Sequence, residues 1–213
     1  MTRANNMQRS TTQPFQTRRS RIRQRGASLI AVMIILTIVS LLGVAAIQVS
    51  MLSERGARND RDLQLAWQSA EAALADAEID LWATNASSNS RQSTFKPVAN
   101  LSAFATGCGT SSTNRGLCAL VSSGKPAWLT VDFTTTGSSA PTIEYGTFTD
   151  GAFAAGGLGV QPAQKPRYVV EVIPDPGERD AGSTDSKYIF RVTAMGFGPR
   201  SEIQAVLQML YRD

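Results

Sequence analysis

The chain has 213 residues, 42% of them hydrophobic, with two cysteines, no histidine and a formal net charge of +4. The missing histidine excludes Ser-His-Asp and Cys-His catalytic arrangements and any histidine-ligated metal. Two thiols alone cannot build a zinc site, and the length suits one globular domain beside any anchor.

The charge is unevenly placed. Residues 1–25 hold seven of the 21 basic residues and no acid, so the remaining 14 cations face 17 acids and the body carries about −3. The basic segment has no apolar periodicity and reads as a leader (residues 1–26) that orients the chain. Without a basic patch interleaved with aromatics further on, no nucleic-acid-binding motif is recognisable.

Ala27–Val49 follows, uncharged throughout, with only Ser28, Thr37, Ser40 and Gln48 as polar interruptions and Gly43 as a flexible point. At about 1.5 Å per residue this run makes roughly 35 Å of helix, enough for a bilayer core of roughly 30 Å. The basic flank predicts a cytoplasmic N-terminus and an exported remainder. Residues 27–50 therefore read as a membrane-spanning helix and residues 51–83 as an amphipathic continuation. In that second half Leu63, Trp67, Ala70, Leu74, Ala77 and Leu81 recur at spacings of three and four, with Glu71, Asp76, Glu78 and Asp80 between them and mostly facing water. A single helix from about Ser28 to Trp82 is predicted, weakest at the polar Ser53–Asp62 stretch around Gly56.

Residues 84–213 read as the globular head. A Ser/Asn/Thr/Gly-rich irregular connection fills 84–117; within it the Ser- and Thr-rich residues 84–95 suit a flexible polar loop better than a glycosylated or adhesive surface. Cys108 and Cys118 lie within it, and outside the cytoplasm a disulfide is expected, with two free structural thiols as the alternative. Short strands are predicted at Trp128–Phe133 and Thr142–Phe148, around a Thr134–Pro141 turn, and Gly151–Lys165 is a small-residue loop. The clearest strands come last: Arg167–Ile173, Lys187–Met195 and Ser201–Tyr211, the final two a hairpin about Gly196–Pro199. The aromatics Trp67, Tyr188 and Phe190 are expected in the core between helix and sheet rather than in a ligand groove. The fold class predicted is α+β, a long N-terminal helix packed on an antiparallel sheet.

Three readings of the N-terminus compete. Leu29–Leu42 with Gly43-Val44-Ala45 fits a cleavable signal peptide, and the same run fits a plain signal-anchor tethering a periplasmic binding domain. The third places a cut earlier. Arg25-Gly26-Ala27-Ser28-Leu29-Ile30 resembles the class III leader junction of type IV pilins, and RQRGASLIAVMIILTIVSLLGVAAIQ with LAWQSAEAAL (Leu65–Leu74) is similar to the PilX-type minor pilins. That resemblance covers about Arg23–Ile79; the C-terminal hairpin fits the family in style, and the middle of the chain does not match.

The resemblance implies a type IV pilin-like fold, cleavage between Gly26 and Ala27 by prepilin peptidase, and N-methylation of Ala27. It implies a non-enzymatic subunit without cofactors. Such a subunit begins in the inner membrane and later stands in a surface pilus. Its expected partners are the major pilin, minor pilins of the PilV and PilW kind and a PilY-type tip adhesin, in twitching, adhesion or DNA uptake. A GspK-type pseudopilin of type II secretion is the runner-up. Most pilins carry a glutamate fifth after the cut; here the position is Ala31, which with Gly43 belongs to the expected assembly helix and suggests a place at the fibre tip. GspK-like relatives include calcium binders, so Asp175, Glu178, Asp180 and Asp185 are weak candidates for a metal, although their spacing matches no EF-hand loop and suits a solvated turn.

Overall fold

The computed structural model describes residues 27–96, 99–157, 159–175 and 188–212. One helix, α1, runs Ala27–Leu81, and five strands follow: β1 (Leu117–Cys118), β2 (Ile143–Glu144), β3 (Arg167–Pro174), β4 (Tyr188–Phe197) and β5 (Gln204–Tyr211). The chain divides into two compact units, residues 1–52 and 53–213.

In the first unit α1 holds no buried side chain from Ser28 onward. The expected weak point is helical, Gly56 included, and a Glu54–Arg58 ion pair at 2.5 Å spans one turn there.

The second unit is α+β, as expected. The sheet order is β1-β3-β4-β5, with β2 also on β3. β2–β3, β3–β4 and β4–β5 are antiparallel, but β1 lies parallel to β3, pairing Leu117 with Val170, so the sheet is mixed rather than purely antiparallel. Both two-residue strands occupy the same edge of β3, one beyond the other. The β4–β5 hairpin forms as predicted; Gly196 and Phe197 still belong to β4, and the reversal is closed by Gly198 N–H donating to Ile203 O at 2.8 Å.

The helix meets the sheet through small residues. Ala66, Ala70, Ala73 and Ala77 are wholly buried, with Leu81 one turn on. A Cβ on Gly196 would overlap the Ala66 carbonyl oxygen and the Ala70 backbone nitrogen, so β4 touches helix backbone at that point. This turns the buried stripe away from the one predicted. Leu63 and Trp67 are about half exposed, and the Trp67 indole N–H donates to Glu71 at 3.0 Å. Trp67 is therefore not core: a large ring at the contact would hold the helix off the sheet. Beneath α1, Tyr168, Val170 and Val172 of β3 and Phe190, Val192 and Ala194 of β4 form the main core with Phe95, Phe104 and Phe148. Tyr188 packs at its margin.

The opposite face of the sheet is covered as well. Val169 and Met195 meet Cys108, Cys118, Ala127, Phe133, Trp128 and Val131 in a second, smaller cluster. The strand predicted over Trp128–Phe133 is instead a 3-10 turn, Ala127–Leu129, followed by irregular chain. Its apolar residues are explained by this cover, which needs side chains pointing at the sheet but no ladder. Of the Thr142–Phe148 prediction, only Ile143–Glu144 pairs.

Gly196→Val is expected to destabilise the head by about 1–3 kcal/mol through overpacking. Urea unfolding of the purified protein measures it; an unchanged midpoint would show that the close approach is not a constraint.

Candidate assembly helix and the anchors of the head

The segment carrying the functional expectation is the N-terminal half of α1. Among the described residues it is the one helix long and apolar enough to cross a membrane. Leu29, Leu36, Leu41 and Leu42 are 59–71% exposed, and even Ile38 is 50% exposed. No face of this segment is set aside for its own chain. Its polar interruption is tolerated because Thr37 Oγ1 donates back to the Met33 and Ile34 carbonyls, at 3.1 and 2.8 Å. Ala31 and Gly43 both lie on this open surface, and nothing stands within 4 Å of a Cβ placed on Gly43. Ala27 is the first residue of α1, and Gly26 lies outside the described residues.

In the head, buried charges tie irregular chain to helix and sheet. Asp80 and Arg91 are buried and joined side-on: Nη2 to Oδ2 at 2.7 Å and Nε to Oδ1 at 3.1 Å. The Tyr168 hydroxyl donates to the same carboxylate at 3.1 Å, and burial, with Asp80 next, raises its pKa well above the ordinary value. The remaining Arg91 nitrogen, Nη1, reaches the Arg115 carbonyl at 2.7 Å, and the guanidinium lies 3.7 Å over the Phe148 ring. One ion pair thus connects α1, β3, the cysteine loop and the turn after β2.

One turn earlier, Asp76 accepts from Gly146 N–H at 3.0 Å and from the Thr149 hydroxyl. Burial raises its pKa, while those two hydrogen bonds pull it down. On the far face, Glu171 accepts from Ala127 N–H and from Arg191, both at 2.9 Å. Arg167 is buried against Thr142 and Glu144, and desolvation lowers its pKa. These groups are engaged in holding chain segments together.

Asp76 and Asp80 correct the expectation that the acids of this helix mostly face water; Glu71 and Glu78 do, but these two do not. The available signal was their spacing of four beside Ala73 and Ala77, with Arg91 the first cation after the helix.

Cys108 and Cys118 form a disulfide, as expected. Cys118 sits in β1 opposite Glu171, so the bond fastens the loop to the sheet edge. Closing a loop of this size stabilises the fold by roughly 3 kcal/mol on the chain-entropy model. Asp175 is ion-paired with Arg212 at 2.7 Å; Glu178, Asp180 and Asp185 lie outside the described residues. Among the described residues no group of three or more His, Cys, Asp or Glu side chains could hold a metal ion.

Replacing Asp80 with Ala strands Arg91 in the core, and the expected loss is about 3–5 kcal/mol. Chemical denaturation checks it; a loss below about 1 kcal/mol, the range of an exposed pair, would remove the ion pair from its anchoring role.

The family comparisons match this geometry across the chain. A PilX N-terminal model covers residues 25–75, and a model of the type IV pilus assembly protein PilX C-terminal region covers residues 54–213. The chain matches no curated protein and no solved structure. The two models together take in the apolar helix, the alanine stripe, the disulfide loop and the sheet. The chain belongs to the PilX family of type IV pilus assembly proteins.

Proposed function

We propose that this protein is a non-catalytic minor pilin that primes assembly of a type IV pilus or caps its tip. The observation carrying this reading is the apolar half of α1, whose side chains from Ser28 to Leu52 are all exposed. Lipid satisfies such a helix before assembly, and a bundle of like helices satisfies it afterwards. Membership of a pilus assembly family supports the second environment.

In this reading the chain starts in the inner membrane with its N-terminus in the cytoplasm. Prepilin peptidase cuts between Gly26 and Ala27, and Ala27 becomes the N-methylated terminus. The cut is a physical prerequisite: seven arginines placed unpaired beside an apolar bundle would be prohibitively costly. Other pilus components, of the PilV, PilW and PilY kinds and the major pilin, are the partners. The head offers them β5, an edge strand among the described residues, with Val206 and Leu210 exposed, and the exposed Trp67 on α1.

Ala31 supports the terminal position. A carboxylate there would need a neighbour's amine to offset its burial, and the first subunit of a fibre has no preceding neighbour. An alanine avoids the unpaired charge.

Deleting the gene while the other subunits are expressed is expected to reduce surface fibres sharply by electron microscopy, and the Ala31→Glu variant to restore them only in part. Unchanged fibre numbers in the deletion would overturn the priming role. Full restoration by Ala31→Glu, with partner capture unchanged, would overturn the tip position.

A further inference from the structure

We propose that Asp76 is a proton-binding site that clamps the turn after β2, residues 145–151, to α1 more tightly in mild acid than at neutral pH. The proposal rests on the head alone and does not depend on the fibre reading.

The buried polar cluster along α1 holds more carboxylates than cations. Asp76 and Asp80 stand one turn apart on the helix, 2% and 0% exposed. Arg91 is the cation of the cluster, and Asp80 takes it up through both Nη2 and Nε. Among the described residues no Lys or Arg forms an ion pair with Asp76.

The other groups facing Asp76 are neutral. From the turn come the Gly146 N–H, at 3.0 Å, and the Thr149 hydroxyl. The Tyr168 hydroxyl of β3 also bonds to it, and Tyr145 of the turn lies within its field. Both phenols hold their protons more firmly than usual, chiefly through burial, so neither ionises at neutral or acidic pH. Two carboxylates, one guanidinium and two phenols leave one negative charge in excess when Asp76 is ionised. A buried charge without a counter-ion is costly, and taking up a proton removes it. Burial is accordingly the largest influence on Asp76 and raises its pKa, and Asp80 adds to the rise. The bonds from Thr149, Gly146 and Tyr168 offset only part of it.

The turn is what closes the cluster over this carboxyl. Gly146 takes φ +81°, and a Cβ there would overlap the Gly151 carbonyl oxygen, so the turn folds back on itself around Asp76. When the turn opens or the head unfolds, water reaches the carboxyl and its pKa returns to about 3.9. The closed state therefore binds a proton that the open state releases. Lowering the pH from neutral through the raised folded pKa favours closure, by up to about tenfold in the equilibrium per pH unit. The gain ends near the unfolded value, below which both states are protonated.

The rest of the chain also titrates, so the test is a difference. Asp76→Asn keeps a carbonyl acceptor for the turn but cannot ionise. Urea unfolding of the detergent-purified full chain, wild type and Asp76→Asn, is followed between pH 7 and pH 4.5. The ratio of wild-type to variant folding constants is expected to rise about threefold or more as the pH falls; a ratio that stays flat or falls overturns the proposal. A second measurement uses wild type alone, with aspartate carboxyl carbons labelled for NMR. One aspartate is expected to titrate clearly above the ordinary range, and if none does the proposal fails. Thr149→Val removes a bond that favours the carboxylate, so this midpoint is expected to move up in that variant. An unmoved midpoint assigns the proton to another carboxyl and overturns the proposal as well.

Discussion

An apolar helix surface that stands exposed on every side is the constraint from which the rest follows. Each apolar Å² left in water costs about 25 cal/mol, and a fully exposed Leu or Ile side chain costs about 1.5–3 kcal/mol relative to burial. From Leu29 to Leu52 such side chains stand exposed on every face. The segment must live in lipid or among other apolar helices, and membership of a pilus assembly family is consistent with the second setting. The uncharged run, the Thr37 side chain bonded back to its own helix and the absence of a carboxylate at position 31 all satisfy that demand.

The second unit answers a different demand, which is to hold a long irregular chain in one conformation. Thirty-five residues, 82–116, separate the end of α1 from β1, and hydrophobic burial alone does not fix loops of that kind. Charges do it here. Asp80–Arg91 with Tyr168, Asp76 with Gly146 and Thr149, and Glu171 with Ala127 and Arg191 each bind one irregular segment to a regular element. Buried pairs of this sort add specificity of arrangement more surely than net stability. The disulfide fastens the same region covalently.

Much of the fold was legible in the chain. The uncharged run gave the first half of α1, and period-two alternation gave β3, β4 and β5. The alternation in β5 survives in the structure as exposed Gln204, Val206, Gln208 and Leu210 against more buried Ala205, Leu207, Met209 and Tyr211. The pattern failed where contact is decided by smallness rather than hydrophobicity. Ala66 and Ala73 are less conspicuous than Leu63 and Trp67, yet the approach of Gly196 selects the alanines. Periodicity also cannot tell a strand from irregular chain lying on a sheet, which is why the pattern at Trp128–Phe133 predicts a strand that does not form. The buried Asp80 was hidden for another reason. An acid on an amphipathic helix ordinarily faces water, and its partner Arg91 belongs to a segment without periodicity. The apolar helix is thus visible in composition alone, whereas the anchors of the head depend on pairings that only the folded chain brings together.

The account turns on the apolar rod being freed of its basic leader before it changes surroundings. Intact mass and N-terminal sequencing of the polypeptide isolated from cells test this most directly. The account predicts a chain that begins at methylated Ala27 and lacks the seven leader arginines. A mature chain that keeps residues 1–26, or one that begins near Ala46 without the apolar segment, would contradict it.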